Sequence, residues 1–548
     1  MARSTIVLLI AGSVIFAAGA CAQSTATITG TITDASGAVV PGAKILVHNA
    51  GTGEERPAES DAAGVYAVPS LPVGEYRVTV SSSGMQSVVA NNVVLEVGRI
   101  VQQNFALRVA SSSEVVEVLA AAPAITTGTV TVGAVIDRKT VQEIPLNGRH
   151  FLDMGFLIPG SVTPPQNANL AAPLRGQGFF GFNSAGARED AVNFMVNGIN
   201  LNDFGGGNQI TFQPTIGTVQ EFKVDNSTYS AEYGRNSGAI VNISTRSGTN
   251  QWHGELYEFL RNHELDARNY FNPIGIPQAP FHRNQFGGDG GGPIKKDRTF
   301  FYLSYEGLRH RQGVPLVSTV LSDAQRDQAA ATSDATVQKL VALLPRPNAP
   351  GNVFNGTATA PVNIDQGTAN ISHSFSDANR VNVYYAFQKD LRNEPPGTVS
   401  NTLPGYGDTR QGNRQLMTLV NTKVFSSTLV NEARLGYNRL HLAFDPETTL
   451  RAGDFGINNG VPAFPQITVS GAFTFGGASG EPSLRGDYTA VLSDTLNWLR
   501  GSHSIKFGGE FRRADSNNNS YTPGTFTFTN VTAFLNDPTE QAAASPTL

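Results

Sequence analysis

The chain has 548 residues, a formal net charge of −5, only 15% charged residues, 57 glycines and one cysteine. That length accommodates three or more domains, and the charge balance offers neither a basic stripe for nucleic acid nor an acidic tail. The glycines are interspersed with strand-like runs, which suits a β-rich chain with many turns rather than a low-complexity linker.

At the start, Arg3 is followed by an apolar run from Ile6 to about Ala20, and then by Ala20-Cys21-Ala22. The run is too short to span a bilayer comfortably and ends in an A-x-A site. Residues 1–22 therefore read as a secretory leader cut after Ala22. A second reading makes Cys21 a lipid-anchored N-terminus, although the usual leucine-like residue is missing at Ala18. No other stretch reads as a transmembrane helix, so an exported chain of this kind is soluble or crosses lipid as a barrel.

Residues 23–110 alternate short strands and turns, as in Thr27–Thr33, Ala43–Val47 and Glu75–Val80, a spacing that predicts a β-sandwich of about seven strands. The pattern Gly30, Asp34, Gly37, Pro41-Gly42-Ala43, Asp61, Gly64-Val65-Tyr66, Leu71-Pro72, Gly74 and Tyr76 resembles the carboxypeptidase-regulatory-like, transthyretin-like domain. No zinc-ligand pattern accompanies it, and either a spacer or a carbohydrate-binding role fits.

Residues 111–127 read as a linker. Within it, Glu114, Val115, Val116, Glu117 and Val118 form an isolated acid-and-valine run that can add as an edge strand to another sheet, or be the last strand of the sandwich. In residues 128–248, three β-type runs are separated by Gly-, Asn- and Asp-rich turns. They include Asn193–Val196 before Asn197-Gly198, Val219-Gln220-Glu221-Phe222, and Ala239–Ile243 between Gly238 and Ser244. Ala239, Val241 and Ile243 share one face and Ile240 and Asn242 the other, the period of a half-buried strand. Gly234 and Gly238 mark places where the backbone needs a positive φ or a close neighbour.

With Ile144–Arg149 and Tyr229–Gly234, these motifs resemble the plug domain of TonB-dependent outer-membrane receptors, in particular the Oar-like branch with its N-terminal regulatory-like domain. The resemblance makes Glu114–Val118 the candidate TonB box. It makes Asn197, Gly198, Glu221, Tyr233, Gly234 and Gly238 plug-motif residues. Most of that family has Asp-Gly where this chain has Asn197-Gly198, so ligand or latch roles are not carried over.

From residue 249 to 548 the texture changes to long alternating strands. Val381, Val383, Tyr385 and Phe387 stand opposite Arg380, Asn382, Tyr384 and Gln388, and Ile505, Phe507 and Phe511 opposite Lys506, Glu510 and Arg512. Apolar-out, polar-in strands of about ten residues are what a transmembrane barrel with a wet lumen requires. Tight turns near Asp377–Asn379, Ser426-Ser427 and Arg500–His503 lie at one end, and long polar connections at the other. The glycine run Gly287–Gly292 lacks the Gly-Lys-Ser/Thr ending of a phosphate loop and reads as a closely packed strand. About ten strands are countable, whereas the family's barrel has about twenty-two. The expectation is an incomplete version of a longer protein.

The fold class expected is mainly β: an N-terminal sandwich, a small α+β plug, then the first part of an antiparallel transmembrane barrel. His253, His263, His282, His310 and His373 lack ligand spacing, no nucleophile elbow is present, and Asp323 and Asp327 sit in a solvated helical insert. No enzyme, metal or cofactor is expected. The resemblance implies an energised transporter in the outer membrane of a Gram-negative cell, with the sandwich in the periplasm. Its implied partners are TonB with ExbB/ExbD, outer-membrane lipid, the barrel-assembly machinery and an extracellular ligand held around residues 198–217. The cargo would be an oligosaccharide, siderophore or peptide. The other reading is an adhesion or carbohydrate-binding surface protein.

Overall fold

The fold is seen in a computed structural model. It is described for residues 25–536 except 110–115, 120–130, 147–148, 163–182, 189–190, 201, 204–208, 211–213, 235, 269, 271–277, 459, 478–481, 501–502 and 521–522. The expected leader, and Glu114 and Val115, lie outside the described residues.

The first unit is a sandwich of two sheets. Ala26–Asp34 pairs with Val65–Leu71 and, in parallel, with Ile100–Gln102 and Phe105–Leu107. The second sheet runs in the order Glu55–Glu59, Lys44–Asn49, Gly74–Ser81, Val88–Leu95, Val116–Leu119. Among the described residues nine strands thus replace the seven expected, because the two three-residue strands are too short to read by alternation. Ile28, Ile32, Ile45, Val47, Tyr66, Val78 and Val80 fill the space between the sheets. Asp34 and Asp61 each fold back on a turn, accepting main-chain N–H groups two and four residues on, which is how short polar side chains stabilise turns. A Cβ on Gly30 would strike the Gln103 carbonyl.

The middle domain is a five-stranded sheet, ordered Val132–Ile136, Val219–Ser227, Ile240–Thr245, Asn193–Val196, Ile199–Asn200. Helix Arg138–Glu143, capped by Asp137, and the 3-10 turn Phe151–Leu157 pack on it. Ala239, Val241 and Ile243 face its core. The opposite face is not solvated as the half-buried pattern implied: Ile240–Thr245 is buried at every position. Ile240 is covered by Met195, Tyr229 and Tyr233.

The third unit is one antiparallel sheet of nine strands: His253–Asn262, Phe281–Lys295, Thr299–Thr319, Val353–Ser376, Asn379–Glu394, Asp408–Ser426, Leu429–Pro446, Ser483–Arg500 and His503–Ser520. Eight of the nine run 15 to 24 residues, not about ten. A tilted strand crosses the hydrocarbon in roughly ten residues, so the remainder stands beyond the bilayer. Leu303, Ile371, Tyr385, Met417, Leu435, Tyr437, Leu492, Phe507 and Phe511 are exposed on the outer face. Between them along the strands, Tyr302, Asn370, Tyr384, Arg414 and Arg434 are buried on the inner face. Three glycines of this sheet make room for neighbouring rings. A Cβ on Gly292 would meet Trp252, one on Gly307 would meet Phe286, and one on Gly367 would meet Phe387.

The long connections fold together. Helices Asp323–Thr332 and Ala335–Ala342, residues 395–407, the hairpin Gln466–Val469 with Phe473–Gly476, strand Thr525–Phe528 and helix Val531–Asn536 share one apolar core. Leu340, Leu403, Tyr406, Phe464, Phe473, Phe475, Phe528 and Phe534 form its centre. Thr525–Phe528 pairs here, in parallel with Gln466–Val469, and not in the barrel sheet. Among the described residues, no helix is long and apolar enough to cross a membrane.

Candidate functional site

The middle domain rests against the inner face of the nine-stranded sheet. Tyr384, Ala386 and Leu416 of the wall complete its core, and a Cβ on Gly436 would collide with Ile199. Polar groups make most of the remaining contacts. Thr215 and Thr218 hydroxyls lie 2.7 and 2.8 Å from those of Ser304 and Thr368, and Lys506 pairs with Glu232.

Two arginines anchor the domain to the first wall strands. Arg149 ends the Ile144–Arg149 motif. Its guanidinium stands 4.4 and 4.6 Å from the ring centres of Tyr257 and Phe259, and its Nε is 3.3 Å from Glu306. Glu306 also accepts from Tyr257 (2.9 Å), Gln285 (3.0 Å) and Gln366 (2.9 Å), so its charge is fully engaged inside the wall. Arg246 lies 3.2 Å from Asp289 and over the Tyr302 ring, whose hydroxyl also bonds Asp289. Asp289 belongs to the glycine-rich strand, and a Cβ on Gly217 of the middle domain would meet its carboxylate.

The sequence-singled residues fall at the junctions. Asn197 (φ 48°) and Gly198 (φ 81°) form the two-residue turn joining Asn193–Val196 to Ile199–Asn200, where both positions require positive φ. Asn197 Nδ2 donates to Thr245 Oγ1 at 2.9 Å, and Asn370 of the wall reaches the same oxygen at 3.2 Å. Tyr233 accepts from Asn242 and packs on Ile240. Gly238 has the close neighbour expected of it, since a Cβ there would press on the Ala191 carbonyl; Gly234 has neither a close neighbour nor a positive φ.

The Glu221 side chain reaches out of the middle sheet. It accepts the main-chain N–H of Val97 in the sandwich. Burial pushes its carboxyl up to about 7, with Glu96 and Asp137 adding to the rise and the Val97 hydrogen bond and Arg99 opposing it. The sandwich also meets the wall: Gly51 O accepts from Asn250 N at 2.9 Å, Glu54 lies 3.5 Å from Arg380, and Ser70 bonds Asn497. Arg380 and Asn250 stand at the short-turn end of the sheet, the periplasmic end in outer-membrane barrels. A small polar cavity of about 90 Å³ lies where the three units meet, lined among others by Thr25, Ser70, Asn197, Thr245, Asn370 and Arg380. Val116–Leu119 pairs in parallel with Val88–Asn91, so the part of the acid-and-valine run that is described lies in the sandwich sheet.

Sequence reasoning missed Glu306, Asp289 and Val97. Glu306 was findable, since alternation from Tyr302 and Ser304 puts it on the inner face. A main-chain N–H such as that of Val97 has no sequence signature. Among the described residues, no group of three or more His, Cys, Asp or Glu is placed to hold a metal ion.

A long-stranded sheet, apolar outside and polar inside, with a folded domain on its inner face, defines an outer-membrane β-barrel protein. Residues 244–547, more than half the chain, match the outer membrane beta barrel domain family, and the chain belongs to it; residues 27–108 match the carboxypeptidase regulatory-like domain. The chain is 28% identical over 314 residues to the TonB-dependent transporter Oar of Myxococcus xanthus, an alignment covering 54% of this chain and 28% of that protein. It thus spans little more than a quarter of the curated relative it matches. Its fold is that of the Escherichia coli outer membrane transporter YddB, with a TM-score of 0.51 at 9% identity over 76% of this chain and 51% of that one. The Pseudomonas aeruginosa ferric enterobactin receptor PfeA gives 0.43 at 13% identity, over 70% and 49%.

Proposed function

We propose that this chain is the plug-bearing part of an energised outer-membrane transporter. The middle domain is the plug, and Glu114–Val118 is the segment a TonB-type periplasmic partner grips, with ExbB/ExbD supplying the force. The observation that carries this reading is the way the middle domain is held. Beyond the shared apolar patch, it meets the wall through hydroxyl pairs and two arginine clusters, contacts that break one at a time and re-form. A protein that only anchors a surface module has no use for a separable domain in its lumen. The cargo class is an oligosaccharide, an iron chelate or a peptide bound at the outer mouth.

The test uses Thr218→Cys, a buried position against Thr368 of the wall, labelled in intact cells with a thiol-reactive dye. In a transporter, labelling requires an energised inner membrane and disappears when Glu114–Val118 is deleted. In an adhesion protein, labelling is indifferent to both, and that result would overturn the proposal.

A further inference from the structure

The sandwich, the candidate grip segment and the middle sheet are joined in an unbroken series. Val116–Leu119 is the outermost strand of its sheet, paired on one side with Val88–Asn91 and, among the described residues, unpaired on the other. An unpaired strand edge is the surface to which a partner strand adds. The strand it pairs with, Val88–Leu95, runs on within two residues to Val97. The N–H of Val97 is held by Glu221, and a Cβ on the adjacent Gly98 would stand 3.6 Å from Lys223 Nζ. Glu221 and Lys223 belong to Val219–Ser227, which is paired on both sides within the middle sheet. A carboxyl oxygen accepts this main-chain N–H in either protonation state.

The covalent route from the grip segment to the middle domain runs through residues 120–130, whose fully extended length is roughly 40 Å. A pull on Val116–Leu119 loads the sandwich directly, through the pairing with Val88–Asn91.

We infer that the sandwich is the mechanical link of the system: a pull on Val116–Leu119 passes through Val88–Leu95 to Val97, and through Glu221 into the middle sheet. This rests on the reading that force enters at Glu114–Val118. The partner adds its strand to the free edge and extends the sandwich sheet, so the segment does not have to be stripped away first. The sandwich leaves the Gly51, Glu54 and Ser70 contacts and takes the middle domain with it. The regulatory-like domain is then neither a spacer nor a glycan module.

The test is single-molecule pulling on the whole chain in a lipid bilayer, with a handle at Glu117→Cys in a Cys21→Ser background. In the wild type the middle domain leaves the wall at short extension. Cross-linking the register partners through Val88→Cys and Val116→Cys leaves that event unchanged. Glu221→Ala abolishes it, and release then occurs only after residues 120–130 have drawn out, while Glu221→Gln, which keeps an acceptor, behaves as wild type. If instead Glu221→Ala changes nothing, or the cross-link blocks release, the inference is wrong. The instrument supplies its own force, so the result is independent of the energising partner. Energy-independent dye labelling of Thr218→Cys would sink the transporter reading and leave this mechanical result standing.

Discussion

Glu221 accepts the Val97 main-chain N–H across the boundary between the middle sheet and the sandwich, so one carboxyl fastens together two separately cored domains. Burial raises that carboxyl from its ordinary 4.5 to about 7, with Glu96 and Asp137 adding to the rise against Arg99. A raised acid binds an extra proton in the docked state. Its contribution to docking is full below about 4.5 and is lost as pH rises through about 7. Hydrogen exchange at the Val97 amide should therefore be slower, relative to its intrinsic rate, at pH 5 than at pH 8. Glu221→Gln, which resembles the protonated form, should remove the pH dependence.

Arg149 is the next expected point of weakness. Replacing it by alanine leaves Glu306 with three donors but without its cation, a loss of about 1.5–3 kcal/mol for a hydrogen bond to a charged group. Thermal denaturation followed by protease sensitivity of residues 131–246 should show the middle domain loosening first. Adding Glu306→Gln should cost less than the sum of the two single changes, because the partners are in contact.

Two glycines of the wall should respond in opposite ways. Gly436→Ala places a methyl against Ile199, whereas Gly486→Ala finds its nearest neighbour, His441, 4.0 Å away. The first should unseat the middle domain and raise dye labelling at Thr218→Cys. The second should leave labelling at the wild-type level.

The Asn197-Gly198 turn gives a local test. Gly198→Ala forces a Cβ into the left-handed region and should cost about 1 kcal/mol. Asn197→Ala, which also removes the bond to Thr245, should cost about 2 kcal/mol. Urea unfolding of the whole chain ranks the two.

How legible was this molecule in its sequence? Alternation in Arg380–Gln388 put Tyr384 and Tyr385 on opposite faces, and the structure buries the first and exposes the second. The motif around Tyr66 and Tyr76 announced a sandwich, because buried tyrosines with a bonded hydroxyl fix its corners. Strand length was not legible, since nothing in a polar alternating run says where lipid stops. The second buried face of Ile240–Thr245 escaped for a related reason: Asn242 looks solvent-facing until Tyr233 folds over it. The Glu221 contact lay out of reach, because one of its two groups is the peptide backbone.

Surface connections on a barrel ordinarily drift independently, each free to lengthen or change with little consequence for its neighbours. Here the connections after Thr319, Glu394 and Pro446 and the stretch after Ser520 share the core around Phe464, Phe473, Phe475 and Phe534. They therefore pack as one block. A substitution at Tyr406 is felt at Phe475 of another connection, whose ring centre lies 5.5 Å away. Variation in what this protein meets outside the cell is then confined to the skin of that block, and an exchange of one loop between relatives fails unless its companions travel with it.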